Sequence, residues 1–296
     1  MSGARPLQLG PYRLTWGQRT HVMGIVNRSP DSFAGDGLTS AAAAIEHGLR
    51  QVEAGADLLD VGGESTRPGA PAVEPARQLE RIMPVVEALA GQAGVPVSVD
   101  TSSAVVAREA LTAGAWLIND VSGLMGDAEM AGVVAAAGAG VVVMANHRLP
   151  PHPLSPSPGR GEGKLVAGTH ARWEQSLRRA GQAGLAPERI VLDPGLGFGL
   201  APAASLALLR HLPRLRRPGH ALLVGPSRKG FIGAALGGLP VEERLEGTLA
   251  AVTLAIAGGA DAVRVHDVRA VDRVRRLADA VCRPRGDSPP SLLERE

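Results

Sequence analysis

The chain has 296 residues, 45% of them hydrophobic and only 2% aromatic, and a formal net charge of +2. That length suits one α/β barrel or two smaller domains, and the near-neutral charge speaks against a nucleic-acid protein. Cys282 is the only cysteine, so no disulfide framework forms within the chain.

In chain order, residues 1–18 read as a cap, with a small hairpin over Leu7–Leu14 turning at Gly10-Pro11 and covering the N-terminal end of the main domain. From there short Val/Ile/Leu runs alternate with Ala/Arg/Glu-rich helical patterns. The strand His21–Val26 precedes the helix Ala41–Ala54, and Asp57–Val61 precedes Pro75–Ala90. Val97–Asp100 leads to Ser103–Ala113, Trp116–Asn119 to Ala128–Ala137, and Val141–Met144 to His170–Ala183. Ile190–Asp193 leads to Ala204–Arg210, Leu222–Gly225 to Val241–Ala257, and Ala262–Val265 to Arg269–Ala280. The strands are almost continuously apolar, as buried parallel strands are when helices cover them. Eight such units over residues 19–282 predict an α/β (β/α)₈ TIM barrel; an open doubly wound sheet is the alternative. Glycines at Gly55, Gly114, Gly138 and Gly259 precede strands and read as helix stops.

The Pro/Ser/Gly-rich stretch Leu149–Gly163 reads as an extended insertion after the fifth strand, and residues 283–296 as a flexible tail. The basic runs Arg214–Arg217 and Arg273–Arg276 read as solvated helix faces. Met1–Arg5 shows no signal-peptide pattern, and Leu249–Ile256 is too short to span a bilayer. A soluble, cytoplasmic protein with neither membrane nor nucleic acid as partner is expected.

Chemistry in a barrel sits at the C-terminal ends of the strands, and here those ends are polar nearly all the way round. Asn27 leads into Ser29-Pro30-Asp31-Ser32, and the second strand delivers Glu64, Thr66 and Arg67. Asp100, Asn119-Asp120 and Asp193 close three further strands, Ser227-Arg228-Lys229 follows the seventh, and Arg264 and His266 mark the eighth. Thr101, Ser102 and Asp127 fit helix caps. Asp100, Asn119, Asp193 and Lys229 have the donors and acceptors to surround a planar heterocycle. Arg67, Ser227, Arg264 and His266 suit an anion, with phosphate foremost, and Gly225–Gly230 opens a short helix where barrels commonly bind phosphate. Asn27 and Asp31 offer oxygens to a Mg²⁺ shared with a diphosphate. Zinc-protease spacing, a thiolate cluster, a complete dinucleotide fingerprint and a serine elbow are absent from the sequence.

At these residues the chain closely resembles the bacterial dihydropteroate synthases. The resemblance is carried by Met23–Phe33, Gly62–Gly69, Ser98–Thr101, Ile118–Asp120, Leu192–Phe198, Ser227–Lys229 and Val263–Val268, in order. It implies a TIM-barrel transferase of folate biosynthesis. The substrates would be 4-aminobenzoate and 6-hydroxymethyl-7,8-dihydropterin diphosphate, joined with release of pyrophosphate. Asp100, Asn119, Asp193 and Lys229 would hold the pterin, and Asp100, Asp193, Lys229 and Arg264 would carry catalysis. Thr66, Arg67, Ser227, Arg264 and His266 would surround diphosphate and aminobenzoate, Asn27 would bind Mg²⁺, and the protein would be a homodimer. The family's usual His, Lys and Asn are replaced by Ala145, Leu200 and Ser205, and Arg28-Ser29 replaces its usual Val-Thr. Two alternatives share the fold: a pterin-dependent methyltransferase and a non-catalytic pterin-binding paralogue. A methyltransferase needs no pyrophosphate site, so Arg67, Ser227 and His266 favour the synthase.

Overall fold

A computed structural model describes residues 3–28, 40–64, 73–148 and 161–283. It opens with an antiparallel hairpin of β1 (Leu7–Leu9) and β2 (Tyr12–Leu14). A side chain at Gly10, the hairpin turn, would collide with the ring of Trp116, so the turn lies flat against the barrel floor only because it is glycine.

Eight parallel strands then close into a barrel. They are β3 (His21–Asn27), β4 (Leu58–Gly62), β5 (Val97–Asp100), β6 (Leu117–Asp120), β7 (Gly140–Met144), β8 (Ile190–Asp193), β9 (Ala221–Val224) and β10 (Ala262–Val265), with β10 pairing back onto β3. The TIM barrel read from the sequence is the fold observed, and the alternative open sheet is excluded. The connecting helices are α1 (Ala41–Glu53), α2 (Pro75–Gln92), α3 (Ala104–Thr112), α4 (Met130–Ala136), α5 (Glu162–Gln182), α6 (Pro202–Arg210), α7 (Leu212–Leu215), α8 (Gly230–Ala235), α9 (Leu245–Ala257) and α10 (Val268–Cys282). Among the described residues no helix is long and apolar enough to cross a membrane.

The period-two alternation of the strands produces the site. Outward residues such as Val22, Leu59, Val61, Val99 and Ile118 pack beneath the helices. Inward residues at the strand starts, including Met23, Leu58, Leu117, Val142, Val191 and Ala262, form a separate apolar layer, sealed by Leu7, Leu9 and Leu14 of the hairpin. Two residues further along the same inward face stand Asp60 after Leu58, Asn119 after Leu117, Asp193 after Val191 and Arg264 after Ala262. The barrel interior therefore changes from hydrocarbon to charge within one pleat repeat.

Several boundaries differ from the sequence reading. The helix expected at His170 starts at Glu162, so the end of the expected insertion is helical. Val166, Thr169, Trp173, Ser176 and Ala180 are among its buried residues and fall at helical spacing, and Glu162 is held by Arg210 (2.8 Å) and His211 (2.6 Å). The long helix expected from Val241 is divided into a 3₁₀ turn, Val241–Glu243, and α9. The side-chain cap of α3 is Ser103, while Thr101 accepts the N–H of Ser103, Ser102 donates to Asp120, and Asp127 accepts the N–H groups of Ala104 and Glu129. The basic runs are not uniformly solvated: Arg275 is buried against Asp272 and Asp279, and Arg216 lies 3.7 Å from buried Asp261. Residues 149–160 of the insertion and residues 284–296 of the tail lie outside the described residues.

Candidate active site

Three of the predicted residues, Arg264, Asp100 and Asn119, meet with Asp60 at the carboxyl ends of the strands around one guanidinium. Arg264, from β10, donates from Nε to Asp60 Oδ2 (2.6 Å) and from Nη2 to Asp100 Oδ2 (2.8 Å). Asn119 Nδ2 donates to the same Asp60 oxygen (3.0 Å). Asp60, in β4, is fully buried, and its other oxygen has no hydrogen-bond partner among the described residues. The sequence reading did not assign Asp60 a role in the site. A charged residue within the apolar run Leu58-Leu59-Asp60-Val61, on the inward phase, was the signal that could have found it.

On the opposite wall, Asp193 ends β8 and accepts the N–H of Gly195 at 2.8 Å, while Trp173 Nε1 supports its carbonyl at 3.1 Å. Lys229 reaches the Leu196 carbonyl at 2.5 Å and lies 4.6 Å from the centre of the Phe198 ring. Arg148, also unassigned from sequence, lies 5.2 Å from the same ring. Ser227 and His266 form a separate pair, with Oγ to Nδ1 at 2.9 Å and the His266 N–H donating to Ser227 Oγ at 3.2 Å.

Asn27, the last residue of β3, pairs in register with Gly62, which pairs in turn with Asp100. This row brings the expected metal ligand beside the charged cluster. Among the described residues no group of three His, Cys, Asp or Glu side chains could hold a metal ion. A lone amide oxygen fits a Mg²⁺ that would take its other ligands from substrate and water, not a protein-caged ion. Thr66, Arg67 and Asp31 lie outside the described residues. Glu64 and Asp120 have structural partners: Glu64 accepts from Val73 and Gln78 at the start of α2, and Asp120 accepts from Ser102, Ser122 and Leu124.

The positions of the substituted family residues are also clear. Ala145 is buried, its N–H bonded to the Asp193 carbonyl at 2.8 Å. Ser205 Oγ accepts the N–H of Gly197 at 3.2 Å, so it still braces the loop after β8. His147, two residues beyond Ala145, reaches the Pro194 carbonyl at 3.2 Å. Burial, followed by the positive charge of Arg172, pushes its pKa down to about 4.

Three carboxylates (Asp60, Asp100, Asp193) face two cations (Arg264, Lys229) in this cluster. Burial pushes Asp100 up to about 7; Arg264 opposes the rise and Asp60 adds to it. Asp193 is also raised, chiefly by burial, with Lys229 opposing. Burial brings Lys229 down to about 8 despite the attraction of Asp193. Burial works against the charge of Arg264, but Asp60 and Asp100 outweigh it and hold its pKa above the ordinary arginine value. Asp100 and Lys229, pushed towards neutral pH in a polar barrel mouth, mark a candidate enzyme site.

Comparison with known proteins agrees. The family model described as pterin binding enzyme matches residues 23–266. A dihydropteroate synthase of Synechocystis is 42% identical over 94% of this chain and 96% of its own length. A Xanthomonas albilineans dihydropteroate synthase structure with 4-aminobenzoic acid is 42% identical, covers 94% of this chain and 98% of that one, and gives a TM-score of 0.83. A Burkholderia cenocepacia enzyme complexed with 7,8-dihydropteroate is 38% identical, with coverage of 94% and 96% and a TM-score of 0.81. The chain belongs to the dihydropteroate synthase family of pterin binding enzymes.

Proposed function

We propose that the protein joins 4-aminobenzoate to 6-hydroxymethyl-7,8-dihydropterin diphosphate, and that Asp100, Asn119, Asp193 and Lys229 bind the pterin while Arg264, Ser227 and His266 serve the diphosphate and aminobenzoate. The observation that carries this reading is the convergence of three carboxylates, an amide and two cations at the barrel mouth. Carboxylates accept from the ring N–H and amino groups of a pterin, and Lys229 donates to its carbonyl or ring nitrogen. The family relationship supports the same assignment, and Thr66 and Arg67 join the anion side on that ground.

In the reaction the bond between the pterin methylene and the diphosphate oxygen breaks, and its electron pair leaves with pyrophosphate. The arylamine lone pair then forms the new C–N bond, and its extra proton passes to pyrophosphate or solvent. No strong base is needed, because a neutral arylamine already carries its lone pair. The surplus of carboxylate over cation beside the methylene favours the positive charge that develops there. Arg264 offsets part of the charge on the departing diphosphate. Mg²⁺ held by Asn27 and the diphosphate would neutralise the remainder.

A homodimer is proposed on the exposed apolar side chains of α9 and α10: Leu254, Leu277 and Val281 are 58%, 70% and 73% exposed. A single cysteine fits a reducing cytoplasm. The test is pyrophosphate release by the purified protein given both substrates, with and without Mg²⁺. Release that needs all three components supports the reading; pterin binding without release would identify a non-catalytic binder instead.

A further inference from the structure

Arg228 has a φ of +55°, in the left-handed region. A long side chain persists there only where its surroundings over-determine the backbone. Here they do. The Arg228 N–H donates to Thr248 Oγ1 at 3.0 Å, and its carbonyl accepts from Arg244 Nη1 at 3.0 Å. Thr248 is fully buried. The guanidinium grips Asp267 in a two-pronged pair, Nε to Oδ2 at 3.0 Å and Nη2 to Oδ1 at 2.6 Å.

The neighbours of this pair in sequence are themselves paired. Ser227 precedes Arg228, His266 precedes Asp267, and Ser227 and His266 are 2.9 Å apart. The loop after β9 and the loop after β10 are thus joined by two consecutive rungs. The inner rung is Ser227–His266 and the outer one is Arg228–Asp267. The left-handed turn lets Arg228 reach Asp267 while Lys229 goes to Leu196 and Phe198. A two-pronged arginine–carboxylate pair fixes angle as well as distance.

We propose that Arg228 and Asp267 are positioning residues, whose clamp holds the Ser227–His266 pair in register for the diphosphate. The proposal rests on the anion role given above to Ser227 and His266. It differs from simple electrostatics in sign. Asp267 carries a negative charge beside the proposed anion site, so if Coulomb repulsion were its only effect its removal would strengthen anion binding. If it positions the inner rung, its removal weakens that binding.

The test is calorimetric binding of inorganic pyrophosphate, with steady-state turnover alongside, for the wild type, Asp267→Asn, Arg228→Lys, Arg228→Gln and the Arg228→Gln/Asp267→Asn double variant. Asp267→Asn is expected to weaken pyrophosphate binding about tenfold while binding of 6-hydroxymethyl-7,8-dihydropterin, which has neither diphosphate nor aminobenzoate, changes less than about twofold. Arg228→Lys, which keeps the charge but loses the fork, should behave like Arg228→Gln. The double variant should lose no more than the worse single one. Asp267→Glu keeps the charge and displaces the carboxylate; if Asp267→Asn fails to fold, the same weakening in Asp267→Glu supports the clamp. Unchanged or tighter pyrophosphate binding in a folded Asp267 variant overturns it, as does an additive double variant. A wild type that binds pyrophosphate but shows no turnover would remove the synthase reading and leave the clamp to be judged by binding. A wild type that binds no pyrophosphate would end the clamp proposal itself.

Discussion

The two ends of the barrel bury the same chemistry to opposite effect. At the floor, Asp57 is held by Arg19 and by the Val22 N–H at 2.9 Å, with the His21 ring 3.7 Å away. Burial alone would raise its pKa, but His21, Arg19 and Val22 outweigh burial and bring it down to about 2. Nearby, Asp279 accepts from both the N–H and the hydroxyl of Thr20 and pairs with Arg275. At the mouth, Asp100 is pushed the other way, to about 7. The floor carboxylate is paired for stability. The mouth carboxylate shares one guanidinium with Asp60. The difference teaches that burial sets the cost of a carboxylate, while the number of donors aimed at it decides whether that cost is met.

The largest expected effect lies at the mouth. Asp193→Ala should weaken pterin binding by at least about 100-fold, since losing a buried charged partner costs on the order of 3 kcal/mol. The protein should stay folded, because among the described residues the Asp193 side chain accepts a hydrogen bond only from the local Gly195 N–H. Calorimetry finding unchanged pterin affinity in a folded variant would sink the assignment.

Next comes the pH profile. Asp100 accepts donors best when ionised, so activity should rise through about 7. Lys229 donates when protonated, so activity should fall above about 8. A narrow bell in kcat/KM between these values is expected, with slopes of about tenfold per pH unit outside it. A flat profile from pH 6 to 9 would show that neither group must change state.

Smaller effects separate the two ends by stability. The pKa of Asp57 falls on folding from 3.8 to about 2. Its stabilisation is therefore present above the unfolded value and lost as pH falls through the folded one. Asp57→Asn should cost about 2 kcal/mol at pH 7, or roughly 4–8 °C in melting temperature, with turnover unchanged. Asp100 rises on folding from 3.8 to about 7, so it costs stability that grows with pH across that window and is fully present above it. Asp100→Asn should raise the melting temperature of the ligand-free protein at pH 8 by about 2–6 °C while turnover falls at least about tenfold. Melting curves that shift in the same direction for both variants would erase the contrast between floor and mouth.

The smallest effect concerns the segment after β7. Its prolines and scarcity of apolar side chains offer little surface to offset the entropy of ordering. Replacing Pro150–Arg160 with a short Gly/Ser connector should leave melting temperature unchanged and lower turnover less than about threefold, under roughly 0.7 kcal/mol of barrier. The deletion must stop before Glu162, which belongs to α5 and meets Arg210 and His211. A much larger loss in a folded variant would assign the segment an active part in catalysis.

The amino-acid sequence by itself determined the barrel and most of its polar rim. Strand periodicity is local, and an apolar run that ends in Asp or Asn announces both the strand and its polar end. Asp100, Asn119 and Asp193 were legible as rim residues for that reason. Tertiary structure decided which carboxylate shares which cation. Asp60 and Arg264 lie far apart in sequence and meet only because β10 closes onto β3, beside β4. It also decided that the pKa values of Asp57 and Asp100, the same residue type in the same fold, are shifted in opposite directions. A pKa depends on the donors that surround a group in space, and barrel closure chooses those donors from strands that the sequence holds apart.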